Sequence, residues 1–296
     1  MTRARIGRFT TPAAQEEYGK VYTAGMAALP PPARTCDVDT GFGRVRVYGF
    51  GEDGDRPPIV LLHGRAATSV MWLPNLAALA ERRRVYAVDL LGEGGLSVQT
   101  APIRHAGDQA AWLDTVLERL GIGAAHLVGV SIGGWLACNQ AVRAAARVAS
   151  ITLLEPAATL ARLPLAVLLR TIPVALPVIA ERALPGFLRW TNSGDSYDED
   201  DPVAKVIEAN LRLYRTALPP PARFTDGQLR SIAVPALVVI GGRSVMHDPG
   251  EAYERARAFI PGVQAELWPH ATHALAGQCA AEVNARILRF LDEQDG

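Results

Sequence analysis

Cysteine is scarce in this 296-residue chain: Cys36, Cys138 and Cys279 are odd in number and far apart. That spacing offers neither a disulfide framework nor a zinc site, and the three read as reduced thiols of a cytoplasmic protein. Net charge is absent as well, with 30 Lys plus Arg against 30 Asp plus Glu. Nothing electrostatic therefore argues for nucleic acid or an anionic membrane, and a small, largely neutral molecule is the expected partner. No unbroken apolar run reaches membrane-spanning length. The longest greasy stretch, Leu163 to Ala180, is interrupted by Pro164, Arg170, Pro173 and Pro177. Arg3, Arg5 and Arg8 are not followed by an apolar segment, so a secretory signal is not expected. What remains is 49% hydrophobic and 20% charged, enough for one substantial core with or without an insertion.

The chain opens with an amphipathic pattern over Thr11 to Leu29, where Thr11 suits an N-cap, Pro12 the first turn, and Pro30-Pro31-Pro32 the stop. A hairpin is expected across Asp37 to Phe50, turning at Gly41-Phe42-Gly43. The rhythm then changes to short apolar runs alternating with helical segments. The runs are Pro58 to Leu62, Arg84 to Leu91, Ala124 to Val130, Ala149 to Leu154, Ala236 to Ile240 and Gln264 to Trp268. Helical patterning lies over Asp108 to Leu120, Gly133 to Ala146, Pro249 to Ile260 and Ala280 to Phe290. Such alternation predicts an α/β fold with a mostly parallel sheet covered on both faces. It is interrupted once, so the expected core is residues 1–156 and 232–296, with a helical cap inserted at 157–231. Within that cap, Asp195 to Asp201 reads as a solvated acidic loop and Val203 to Tyr214 as a helix.

Gly129-Val130-Ser131-Ile132-Gly133 is a G-x-S-x-G pattern placed directly after an apolar strand and before a helix. The pattern alone occurs by chance, but that context is the one a nucleophile elbow requires: a sharp turn with no room for side chains two residues to either side. Ser131 is thus the candidate nucleophile. A serine hydroxyl needs a base, and His273, in the loop after the last strand, is the candidate, with His270 its nearest rival. His63-Gly64 ends the first parallel strand, and the amides of Arg65 and Ile132 are the candidate donors to an oxyanion. His63 itself is expected to shape that loop, and the Arg65 side chain to be a surface cation. Glu155, ending an apolar strand, needs a partner to offset its desolvation. Asp248 heads Asp248-Pro249-Gly250-Glu251, which also has the form of a helix cap.

Taken together, Leu61 to Gly64, Val88 to Ser97, Gly129 to Gly134, Val234 to Gly241 and His273 resemble the α/β-hydrolase superfamily, and within it bacterial carboxylesterases that carry a lid. The resemblance implies Ser, an acid and His in that chain order, with no metal or organic cofactor. It also marks a departure. Such proteins usually carry Asp three residues past the glycine that follows the penultimate strand, and Ser244 stands there. Glu155 is favoured as the substitute acid, and Asp248 stays open. The expected activity is hydrolysis of a carboxylic ester with an apolar acyl or alcohol part through an acyl-enzyme, the Leu-rich stretch Leu160 to Leu188 walling the pocket. Thioester, lactone and carbon–carbon bond hydrolysis use the same elbow, and the fold also serves non-catalytic small-molecule binders.

Overall fold

The computed structural model describes residues 6–175, 180–195, 198 and 200–295. Arg3, Arg5 and Pro177, and the acidic-run positions Ser196, Tyr197 and Glu199, lie outside the described residues. A two-residue strand, β1 (Arg8–Phe9), leads into α1 (Pro12–Ala27). The Thr11 hydroxyl accepts the Ala14 amide proton at 3.0 Å, and Pro12 occupies the first turn, where no amide donor is needed. Strands β2 (Arg34–Thr40) and β3 (Gly43–Phe50) form the antiparallel hairpin.

From there the chain alternates: β4 (Ile59–Leu62), α2 (Leu73–Arg82), β5 (Val85–Val88), the short β6 (Val98–Gln99), α3 (Ala106–Arg119), β7 (Ala125–Val130), α4 (Ile132–Arg143) and β8 (Val148–Leu154). Residues 157–231 hold α5 (Leu165–Ala175), α6 (Ala180–Thr191), α7 (Pro202–Leu213), β9 (Tyr214–Arg215) and α8 (Asp226–Arg230). The alternation then resumes with β10 (Ala236–Gly241), α9 (Pro249–Phe259), β11 (Gln264–Trp268), the single turn α10 (Leu275–Gln278) and α11 (Ala280–Asp295). The main sheet runs β11-β10-β8-β7-β4-β5-β3-β2, with β6 against β3. Its centre is parallel, and β2, β3 and β6 pair antiparallel at one side.

Strand residues divide between the two faces with period two. Val60 and Leu62 of β4, with Val238 and Ile240 of β10, face α3, α4 and α9 through Trp112, Leu113, Leu136 and Ala256. Ile59 and Leu61, with Leu237 and Val239, face the other layer, where Leu76 and Leu79 of α2 meet Ile287 and Phe290 of α11. Burial on both faces is why these strands read as continuous apolar runs. Helix α2 was not among the expected elements: no side chain caps it, although its buried Leu76 and Leu79 seal the layer.

Among the described residues, 157–231 adds no strand to the main sheet, since β9 pairs only with β1. Among its described residues the acidic run is exposed at Asp198 and Asp200, half-buried at Asp195 and Asp201, and engaged. Asp201 caps α7 by accepting the Val203 amide at 2.8 Å, Asp200 pairs with Lys205 at 2.7 Å, and Asp195 holds Arg243 through two 2.9 Å bonds. The last pair joins the insertion to the loop after β10. Ser193 also donates to the Arg243 carbonyl, and Thr272 donates to Asn192 Oδ1 at 3.0 Å, so the α6–α7 connection leans on the loops at the carboxyl end of the sheet.

Candidate active site

Five loops meet at the carboxyl ends of β4, β7, β8, β10 and β11, the edge where open α/β sheets place their ligands. Ser131 follows β7 with φ 53° and ψ −114°, a conformation that costs an L-residue about 1–3 kcal/mol and persists only where the surroundings fix it. Here they do. The Ser131 amide donates to Leu154 O at 3.0 Å, and its carbonyl accepts from Trp135 at 3.1 Å and Ala157 at 3.2 Å. A Cβ on Gly129 would lie 2.2 Å from Gly133 O, and one on Gly133 would lie 2.0 Å from Leu62 O. The glycine requirement of the elbow is thus a close approach of backbone to backbone on both sides.

His273 lies between Ser131 and Glu155. Its Nε2 is 3.1 Å from Ser131 Oγ and its Nδ1 is 3.0 Å from Glu155 Oε2. A carboxylate accepts only, so Nδ1 carries the proton and Nε2 presents a lone pair to the serine hydroxyl. Glu155 is fully buried, with φ 49°. Gly241 N–H donates to its Oε1 at 2.6 Å, Ser244 Oγ–H donates to its Oε2 at 2.5 Å, and His247 Nε2 is 3.4 Å from Oε1. Burial alone would push the Glu155 pKa up, but His247 and His273 beside it outweigh that and hold it at about 2. Glu155 is an anion at neutral pH, with donors offsetting its desolvation.

The turn after β4 packs against the serine: a Cβ on Gly64 would come within 3.7 Å of Ser131 Cβ. No acceptor is recorded for the Arg65 or the Ile132 amide among the described residues. Glu93, buried after β5, accepts the Ala66 amide at 3.3 Å with one carboxylate oxygen and pairs with the Arg65 guanidinium at 3.1 Å with the other. It ties down the turn in which Ala66 has φ 58°. Next to Arg65 and Ile132 lies a cavity of about 210 Å³ walled by Leu90, Leu91, Trp135, Leu136 and Leu218, beneath the proline run that follows Leu218.

The profile of the alpha/beta hydrolase family matches residues 59–286. The chain belongs to that family. It is 33% identical over 279 residues to a carboxylesterase of Bacillus subtilis, YbfK, covering 92% of each chain. The crystal structure of that carboxylesterase superposes with a TM-score of 0.87 at 31% identity, covering 94% of this chain and 98% of the other. The naproxen esterase of the same organism superposes with a TM-score of 0.86 at 31% identity, covering 95% and 99%. Coverage this high leaves too little of the hydrolase outside the match to omit residues 157–231, so the likeness extends into the insertion that the motifs alone leave out.

Of the residues singled out in this hydrolase from its sequence, Ser131, His273 and Glu155 come together, while Arg65 and Ile132 both line the adjoining cavity. Asp248 does not join them. Its side chain is exposed and its Oδ1 accepts the Glu251 amide at 2.8 Å, capping α9 as the sequence form allowed. His270 is exposed, stacked on Trp268 and 3.7 Å from Glu282. His63 shapes its loop: the Leu90 amide donates to Nε2 at 2.9 Å, so Nδ1 bears the proton it gives to Gly64 O at 2.7 Å. Burial lowers the His63 pKa, which keeps the ring neutral. His105 caps α3. A second serine–histidine–aspartate chain, Ser150–His126–Asp295, lies at the opposite edge with Ser150 and His126 sealed from solvent. Sequence reasoning missed Glu93, His247 and the donor role of Ser244. The one signal available was that Ser244 and His247 share the loop where the acid was sought.

Proposed function

We infer that this protein is a carboxylic ester hydrolase in which Ser131 is the nucleophile, His273 the general base and then acid, and Glu155 the triad acid. The observation that carries this reading is His273 spanning 3.1 Å to Ser131 Oγ and 3.0 Å to Glu155 Oε2 with opposite ring nitrogens. As Ser131 Oγ bonds to the ester carbonyl carbon, its proton passes to His273 Nε2. The carbonyl oxygen gains the negative charge and turns toward the Arg65 and Ile132 amides. Collapse breaks the bond to the alcohol oxygen, which leaves with the proton from Nε2. Water, deprotonated by the same nitrogen, then cleaves the acyl-serine to release the acid and restore Ser131.

The apolar walls beside Ile132 support an ester with an apolar group. They come from the loop after β5, from α4 and from the segment around Leu218, whereas the sequence points to Leu160 to Leu188. Leu160 is buried in the core, and Leu165 and Leu169 of α5 are exposed. We take residues 157–231 as a cap whose 218–222 segment roofs that cavity, and the free cysteines, two of them buried, as supporting a reducing cytoplasmic setting.

Turnover of p-nitrophenyl butyrate and labelling by a fluorophosphonate probe test the assignment together. The parent protein should show both and Ser131→Ala neither; turnover retained by the variant would sink it.

A further inference from the structure

The loop between β10 and α9, residues 242–248, holds serine at the place where the family resemblance leads one to look for the acid, yet the loop still faces the carboxylate that does the work. Ser244 Oγ donates to Glu155 Oε2 at 2.5 Å. His247, three residues on, is 3% exposed, and its Nε2 is sealed from solvent with no hydrogen-bond partner. The anionic atom against it is Glu155 Oε1, at 3.4 Å. A buried imidazole N–H left unpaired is unfavourable, and a carboxylate oxygen is the strongest acceptor it could meet. A ring movement of roughly half an ångström closes the bond to ordinary length.

We propose that His247 is a positioning residue for ester hydrolysis, donating Nε2–H to Glu155 Oε1. With Gly241 N–H on the same oxygen and Ser244 Oγ–H on the other, it completes a cradle that presents Oε2 to His273 Nδ1. The loop that elsewhere would supply the acid has here become the donor shell of an acid moved to the end of β8. This rests on the Ser131–His273–Glu155 reading above.

The cradle has an electrostatic consequence. A donor on Oε1 spreads the carboxylate charge and fixes the carboxylate plane, so removing it loosens the bond that His273 Nδ1 makes to Oε2. The titratable and charged groups recorded around the cradle are Glu155 after β8, His273 after β11, and, on the loop itself, Asp248, engaged in capping α9, and Arg243, paired with Asp195 of the insertion. Neither Asp248 nor Arg243 is bonded to the Glu155 carboxylate among the described residues.

The experiment compares His247→Phe, His247→Asn and His247→Gln with the parent and with Glu155→Gln, following kcat and KM for p-nitrophenyl butyrate from acid to alkaline pH. Phe offers no donor, and Asn is too short to reach Oε1. Both should lower kcat by about ten- to a hundredfold, the usual cost of losing an orienting partner, with KM little changed. Gln keeps a donor of nearly the right reach and should restore the rate. A folded His247→Phe with parental kcat overturns the proposal. Should His247→Phe fail to fold, equal behaviour of the Asn and Gln variants overturns it instead. Full activity in Glu155→Gln would remove the triad reading and this proposal with it, whereas an inactive Glu155→Gln beside an unaffected His247→Phe removes only the role of His247.

Discussion

Exchanging Glu155 for Gln alters charge and donor pattern while leaving shape nearly intact, and the structure fixes what the amide must do. Its carbonyl oxygen has to stay opposite Gly241 N–H, 2.6 Å from Oε1. The NH₂ group then occupies the Oε2 position, 2.5 Å from Ser244 Oγ and 3.0 Å from His273 Nδ1. Two donors facing each other at Nδ1 force the imidazole proton onto Nε2, the nitrogen 3.1 Å from Ser131 Oγ, and no lone pair is left to accept the serine proton. A wrong tautomer of this kind costs about ten-thousandfold in kcat, equivalent to about 5.4 kcal/mol of barrier. Asp248→Asn is the matched control. Its oxygen can still accept the Glu251 amide, and Asn caps about as well as Asp, so both rate and stability should change little. Saturating initial rates on p-nitrophenyl butyrate, with thermal melts to confirm folding, decide the matter. A Glu155→Gln enzyme within about tenfold of the parent, less than 1.4 kcal/mol of barrier, would refute the tautomer argument; so would a large loss confined to Asp248→Asn.

The elbow glycine and a buried histidine offer two further measurements. Gly133→Ala sets a Cβ 2.0 Å from Leu62 O and 2.7 Å from His63 O, both backbone atoms that cannot swing aside; it should lower stability by about 3 kcal/mol or more, read as a reduced urea midpoint at constant slope, and an unchanged midpoint would contradict the packing described. Burial holds the His126 pKa below its ordinary value, Asp295 opposing and Arg83 reinforcing the shift. The unfolded chain therefore takes up a proton near pH 6.5 that the folded protein refuses until lower pH, so this contribution is complete above about pH 6.5 and is lost as pH falls toward the folded value. Melting temperatures between pH 7 and 5 should fall more steeply for the parent than for His126→Asn; equal slopes would show that His126 does not carry this dependence.

Apolar runs were readable because a strand buried on both faces has no polar side to break the run, and β4, β5, β7, β8 and β10 all lie where such runs occur, whereas β11 at the sheet edge is only half-buried. Helix α2 escaped notice because nothing caps it and it spans only ten residues. Helix α3 starts earlier than its first aspartate suggests, since His105, an uncommon cap, accepts the Asp108 amide while Asp108 accepts the His105 amide in return. The wall of the cavity beside Ile132 was not legible for a different reason. Leucine content identifies segments that avoid water, but whether Leu160 packs into the core or Leu218 roofs a cavity depends on the path of the insertion over the sheet.

Sequence by itself singled out Ser131 as the candidate nucleophile, because a serine flanked by glycines between a strand and a helix is written within five residues, even though the room denied at Gly133 is taken by Leu62 O of a distant strand. It also narrowed the base to the loop after β11. The choice of acid belonged to tertiary structure. Glu155 and Asp248 are both plausible carboxylates by position, and what separates them is that one is buried under donors from two other loops while the other spends its oxygen on its own helix. Contacts between residues 86 to 118 positions apart leave no local pattern in a single chain, so Ser244 reads there only as a missing acid; in the folded protein it is one of the groups that hold the acid in place.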